Sequence, residues 1–254
     1  MTAGPTSSGA SARPVIPANP GSVFGARPRL KRRSPPPPSL TSSRDPDAFY
    51  VLDSGVGLAF ASISGGMDLL QVHYREQLRY VDEVMFEWET QAGWSSPAPG
   101  PGHTPEQRAD WLRRRRVKLA ARLLVTEMPA RFGEPAQLEL EEAAEIDSLV
   151  AELQAFPPPK PGGADRGECA SVRYGELLRS AEQARVIVMC ANDDRAQRLA
   201  GNHGIAHRDM ARVLTEMVHE NRLTKQQAFT HYEVMSKTTE LRVSRRPAGP
   251  DDFA

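Results

Sequence analysis

Two short apolar runs, each closed by acidic residues and each followed by a helical pattern, set the terms for how this chain can fold. The stronger is Arg185-Val186-Ile187-Val188-Met189-Cys190-Ala191, which passes directly into Asn192-Asp193-Asp194-Arg195. A continuous apolar run without alternation is expected of a strand covered on both faces. The other is Ala48-Phe49-Tyr50-Val51-Leu52, followed by Asp53-Ser54. A strand, an acid and a helix in succession, used twice, predict an α/β fold with a parallel sheet. In such sheets ligands collect beyond the carboxyl ends of the strands. Asp53-Ser54-Gly55 would also serve as a plain turn; the repetition singles the acid out.

The rest of the composition narrows the class. The 254 residues allow one or two domains, and 32 basic against 32 acidic residues leave no net charge. No global field therefore argues for nucleic acid. The balance hides a local asymmetry, because residues 1–44 contain Arg and Lys but no Asp or Glu. Two cysteines, Cys169 and Cys190, make no disulfide framework and fit a reduced, cytoplasmic setting. No apolar run approaches the roughly 18 residues of a membrane span, and no secretory h-region opens the chain.

Residues 1–47 are rich in Pro, Ser, Ala and Gly, with Pro35 to Pro38 in a row, and are expected to be a disordered basic tail. The Leu30-Lys31-Arg32-Arg33 cluster could touch RNA phosphates or an acidic partner, and a transit peptide is an alternative that the prolines oppose. Helices are expected from Gly55 to Ser62, over 67–78, and over Tyr80 to Trp88. In the last of these, Glu83 and Glu87 are four apart and share a face. After a loop at 90–104, Thr104-Pro105-Glu106 has the form of an N-cap, a proline at the first helical position and a first-turn acid. The helix it opens is expected to run to about Glu127, with Trp111, Leu112, Leu119, Leu123 and Leu124 able to face a core. It carries a basic run, Arg113, Arg114, Arg115 and Arg116. An acidic amphipathic stretch follows over Leu138 to Phe156, with Leu140 among its apolar positions. Pro157 to Gly163 ends it. A further helix opens around Gly167-Glu168, where the helix dipole favours an anion. After the 185–191 strand come a helix through Ala200, a short strand near Gly204-Ile205-Ala206, and helices over Asp209 to Glu220 and Thr224 to Met235. Residues 238–254 are expected to be a flexible polar tail. His203 and His207 make no convincing ligand pair, with Gly204 between them.

These motifs in this order resemble the PIN domain, the nuclease fold of VapC-type toxins and RNA-processing endonucleases. The matching residues are Leu52-Asp53-Ser54, Val84-Met85-Phe86-Glu87, Gly167-Glu168 and Asn192-Asp193-Asp194-Arg195-Ala196. Gly204-Ile205, Leu214 to Val218, and Leu223-Thr224 with Ala228 follow the family's later pattern. The resemblance covers about 48–235 and implies a three-layer α/β/α sandwich around a central parallel sheet. The nuclease domain would be 48–237, with a helical insertion at about 90–160. Asn192 and Glu168 depart from the commoner Ser or Thr and Asp at their positions.

By that resemblance the chain would be a metal-dependent endoribonuclease, and one possibility is the toxin of a toxin–antitoxin pair. Asp53, Glu87, Glu168 and Asp194 would hold Mg²⁺ or Mn²⁺, with Asp193 the alternate for Asp194 and Glu83 the alternate for Glu87. Hard divalent cations take oxygen ligands. Bound there, one would make hydroxide available and neutralise charge on the scissile phosphate. Ser54 and Asn192 would add neutral hydrogen bonds. The Arg113–Arg116 run would either hold RNA backbone or pair with the acidic 138–156 stretch. The four carboxylates are expected to lie within several ångströms of a common point. Implied partners are an RNA substrate, an antitoxin protein and a second copy of the chain, but no membrane. The alternatives are a catalytically silent PIN-like RNA-binding or scaffold protein, and a helix-turn-helix DNA-binding regulator built on 209–235. A Rossmann enzyme would need a Gly-x-Gly-x-x-Gly that no strand here precedes.

Overall fold

The structure, a computed structural model, describes residues 44–156, 166–182, 185–189, 194–239, 241 and 246–253. The expected N-terminal tail up to residue 43, the 157–163 break, and Cys190, Asn192 and Asp193 lie outside the described residues. Four parallel strands, β1 (Ala48–Leu52), β2 (Leu78–Arg79), β3 (Arg185–Met189) and β4 (Ala206–Arg208), are ordered β2-β1-β3-β4. The two runs that dominate the sequence pair with each other along their length, from Ala48 with Arg185 to Leu52 with Met189. Tyr50, Val51, Leu52, Val188 and Met189 are essentially inaccessible to water, as unbroken apolar strands in an internal parallel pair should be. From β1 the chain winds outward to β2, then crosses back to β3 and outward again to β4. The winding therefore reverses between β1 and β3, at their carboxyl ends.

The helices are α1 (Ser54–Ala61), α2 (Gly66–Tyr74), α3 (Asp82–Gly93), α4 (Pro105–Phe132), α5 (Ala143–Gln154), α6 (Arg166–Glu182), α7 (Asp194–Asn202), α8 (Met210–His219) and α9 (Lys225–Thr238). α6 packs on β1 and β3 and is flanked by α5 and α7, while α1 packs against α2, α4 and α9. Two helix groups about a parallel sheet are consistent with a three-layer sandwich. Gly175 brings α6 close to the sheet, since a Cβ there would sit 3.1 Å from Ile205 Cδ1 and 3.2 Å from Val186 Cγ1. The predicted cap at Thr104 is a full capping box. Thr104 Oγ1 accepts from the Gln107 N–H at 3.3 Å, and Gln107 Oε1 accepts from the Thr104 N–H at 2.9 Å.

Several expectations are corrected. The helix expected over 67–78 ends at Tyr74 and gives way to β2, and Tyr80 precedes α3 rather than belonging to it. β2 is two residues long at a sheet edge, too short for any periodicity to show. α4 runs to Phe132, with Pro129 inside its last turns. Only Ala120, Ala121, Leu124 and Met128 of that helix are buried, whereas Leu112, Leu119 and Leu123 stay exposed, as does Leu140 ahead of α5. A helix of 28 residues outruns the core it crosses, so its apolar positions cannot all be covered. Yet α4 is more than an appended insertion, because it packs against α1, α3 and α9. Among the described residues, acids of the 138–156 stretch find partners other than the arginine run. Glu142 meets Arg173, Asp147 meets Arg166, and Glu152 meets His203 at 3.1 Å. The end of the chain is also docked: Phe253 is fully buried, its ring 6.3 Å from that of Tyr232.

Candidate active site

Asp53 follows β1 directly and is 2% exposed. Its N–H donates to the Met189 carbonyl at 3.1 Å, so the β1–β3 pairing continues up to the acid itself. Its own carbonyl accepts from Val56 and Gly57 and starts α1, while its side chain makes no capping bond to that helix. Ser54 Oγ lies 3.5 Å from Asp53 Oδ1 and is buried with it.

Three hydrogen bonds tie α3, α6 and the end of β1 together. Trp88 is fully buried on α3, and its Nε1 donates to the Ser54 carbonyl at 3.0 Å, which sets the turn carrying Glu87 beside the start of α1. Glu87 Oε1 accepts the Gly167 N–H at 3.1 Å, next in the chain to Glu168. One turn further along α6, Ser171 Oγ donates to the Leu52 carbonyl at 3.4 Å, just before Asp53. Together these bonds tie α3 to the start of α1, α3 to the start of α6, and α6 to the end of β1. The first turn of a helix offers N–H donors and a positive dipole end, so Glu87 is well placed against α6. Asp194 begins α7 after β3 and is exposed.

Glu83, one turn before Glu87, lies 3.8 Å from Arg166. Burial, with help from a hydrogen bond to Asp82 and its charge, pushes the Glu83 carboxyl up to about 7. The arginine run lies elsewhere on α4. Arg113 and Arg114 bind Asp110, each at 2.8 Å, Arg115 sits 5.5 Å from the Trp111 ring, and Arg116 reaches the Lys237 carbonyl.

Against protein-family models, curated proteins and solved structures, the chain matches none.

The carboxylates that follow β1 and that stand on α3 and at the starts of α6 and α7 offer oxygen donors, the kind that suits a hard divalent cation. Among the described residues no three His, Cys, Asp or Glu side chains are grouped so as to hold a metal ion. The structure gives a shared end of the sheet rather than a finished cage. Mg²⁺ commonly binds through one or two protein carboxylates and keeps several waters, so the donor set still fits it. Sequence reasoning missed Arg166 as the cation facing Glu83 and the buried Gln197 of α7, and it gave Arg195, which is also buried, no role of its own. It also missed why position 167 is glycine. A Cβ there would lie 2.8 Å from Glu87 Cδ, a clash between residues 80 apart in the chain that no local pattern carries.

Proposed function

We propose that this chain is a PIN-like, metal-dependent endoribonuclease whose site lies beyond the carboxyl ends of β1 and β3. The observation that carries the reading is the place of Asp53: a buried carboxylate where the winding of a parallel sheet reverses, which is where open α/β sheets bind ligands. Glu87 and Glu168 come to that same end through Trp88 and Gly167. Asp53, Glu168 and Asp194 would hold Mg²⁺ or Mn²⁺, with Asp193 the alternate for Asp194. When bound, such an ion lowers the pKa of a water and offsets the charge that builds on the phosphate. Glu87, anchored on the Gly167 amide, positions the first turn of α6 against Asp53. Ser54 and Asn192 supply neutral hydrogen bonds to ligands or phosphate.

The test is cleavage of a labelled mixed RNA pool in Mn²⁺ or Mg²⁺, with EDTA and Asp53→Asn alongside. Cleavage lost in both controls supports the nuclease. Cleavage that survives Asp53→Asn rejects this site. A second reading has its own observation: Glu83 and Glu87 already face Arg166 and the Gly167 amide, as acids do in a site that works without metal. On that reading the domain binds RNA without cutting it, and the assay would show RNA bound by the folded protein but intact.

A further inference from the structure

A hollow of about 330 Å³ opens beside these acids, between α3 and the first turn of α6, lined by Glu83, Phe86, Glu87, Gln91, Arg166 and Gly167, with Thr90 at its side. Phe86 is 68% exposed, although its helix neighbours Val84 and Trp88 are fully buried. Thr90 Oγ1 is already committed to the Phe86 carbonyl at 2.9 Å. Gln91 is different: its Oε1 is buried and has no hydrogen-bond partner. A buried acceptor left without a donor is costly unless a ligand supplies one. An apolar ring open to solvent, a buried amide oxygen awaiting an N–H, and a guanidinium at the rim thus line one hollow. Its volume is at the small end of ligand sites, which run from about 300 Å³ upward.

We propose that this hollow seats one unstacked base of a single-stranded RNA, with Phe86 as the stacking platform and Gln91 Oε1 accepting from the base edge. A nucleobase is flat, has a π-face for the Phe86 ring and carries N–H donors on its edge. In a duplex neither the face nor that edge is available, so the site selects single strands, loops or ends. Arg166 is placed at the rim for the adjoining phosphate. The inference rests on the nuclease reading for its purpose, since a base held here sets the neighbouring phosphodiester beside Asp53 and Glu168. Its binding chemistry stands separately.

The experiment is fluorescence anisotropy of the full chain with a short labelled single-stranded RNA and with its duplex, in Ca²⁺. The wild type is compared with Phe86→Ala, Phe86→Trp and Gln91→Ala. Loss of one base–aromatic stack weakens binding by roughly 5- to 100-fold, so Phe86→Ala should fall in that range on the single strand. Phe86→Trp should stay close to wild type, Gln91→Ala should weaken binding several-fold, and the duplex should bind poorly and ignore all three. Because Phe86 is exposed, its replacement leaves the core intact. The proposal is overturned if the wild type fails to bind the single strand, if Phe86→Ala binds as well as wild type, or if single strand and duplex lose equally. Cleavage of the same RNA in Mn²⁺ is read separately. Binding through Phe86 without cleavage keeps this inference and rejects the nuclease, whereas cleavage indifferent to Phe86 does the reverse.

Discussion

At the scale of single residues, the site depends on positions where a missing side chain matters as much as a present one. Gly167→Ala would place a Cβ 2.8 Å from Glu87 Cδ and 3.1 Å from Oε2. Glu87 is flexible and would swing away, losing its bond to the Gly167 amide. The lost hydrogen bond to a charged group, about 1.5 kcal/mol in a partly exposed place, is largely offset by what Ala gains over Gly in a helix, at most about 1 kcal/mol. Thermal melts should therefore barely move, while RNA cleavage should fall by roughly 10-fold or more, as when groups supporting a metal ligand are removed. Gly57→Ala should behave in the opposite way. Its Cβ would meet Trp88 Cζ2 at 2.5 Å, and an indole buried on all sides cannot yield. Overpacking of that kind costs about 1–3 kcal/mol, visible as a lower midpoint in denaturant. The strand end before Asp53 and the helix start at Glu168 were legible in the sequence, because such boundaries announce themselves locally. The reasons for Gly57 and Gly167 were not, because each faces a side chain from another element.

At the scale of elements, the seam joining α5, α6 and α7 is held by charge. His203 stands between two carboxylates, with Nδ1 2.8 Å from Glu176 and Nε2 3.1 Å from Glu152. Burial works against the charge on both glutamates, but their hydrogen bonds to His203, with Arg173 helping Glu176 and Asn202 helping Glu152, outweigh it. Both pKa values therefore lie below the usual 4.5. A depressed carboxyl stabilises the fold fully above its unfolded value, and the contribution disappears as pH falls through the lower, folded value. Glu176→Gln should thus cost about 1.5 kcal/mol at pH 7, the scale of a hydrogen bond to a charged group. The difference from wild type should shrink as pH drops below about 4.5, and urea melts across that range would show it. Helical periodicity made α4, α5 and α6 legible, and the Thr104 cap was read correctly. It misled where Leu112, Leu119 and Leu140 follow an apolar pattern with nothing packed over them, since a pattern reports spacing and not coverage.

At the scale of the whole molecule, the parallel order β2-β1-β3-β4 sets the carboxyl ends of β1 and β3, far apart in sequence, side by side, with Leu52 opposite Met189. The central pair of strands was legible because unbroken apolar runs leave few alternatives. The edge strand β2 was not, and neither was the docking of the chain's end. Phe253 fills a fully buried position against Tyr232, so Phe253→Ala should destabilise the fold by about 3–5 kcal/mol, enough to lower the melting temperature by roughly 6–20 °C. A truly free tail would show no change. The claim on which the rest depends is that the carboxyl ends of β1 and β3 form a cation site. Anomalous diffraction from crystals grown with Mn²⁺ tests it most directly. The account predicts a manganese peak bonded to the Asp53 carboxylate and absent from Asp53→Asn crystals of the same form. A peak elsewhere, or none at Asp53 at saturating Mn²⁺, would contradict it.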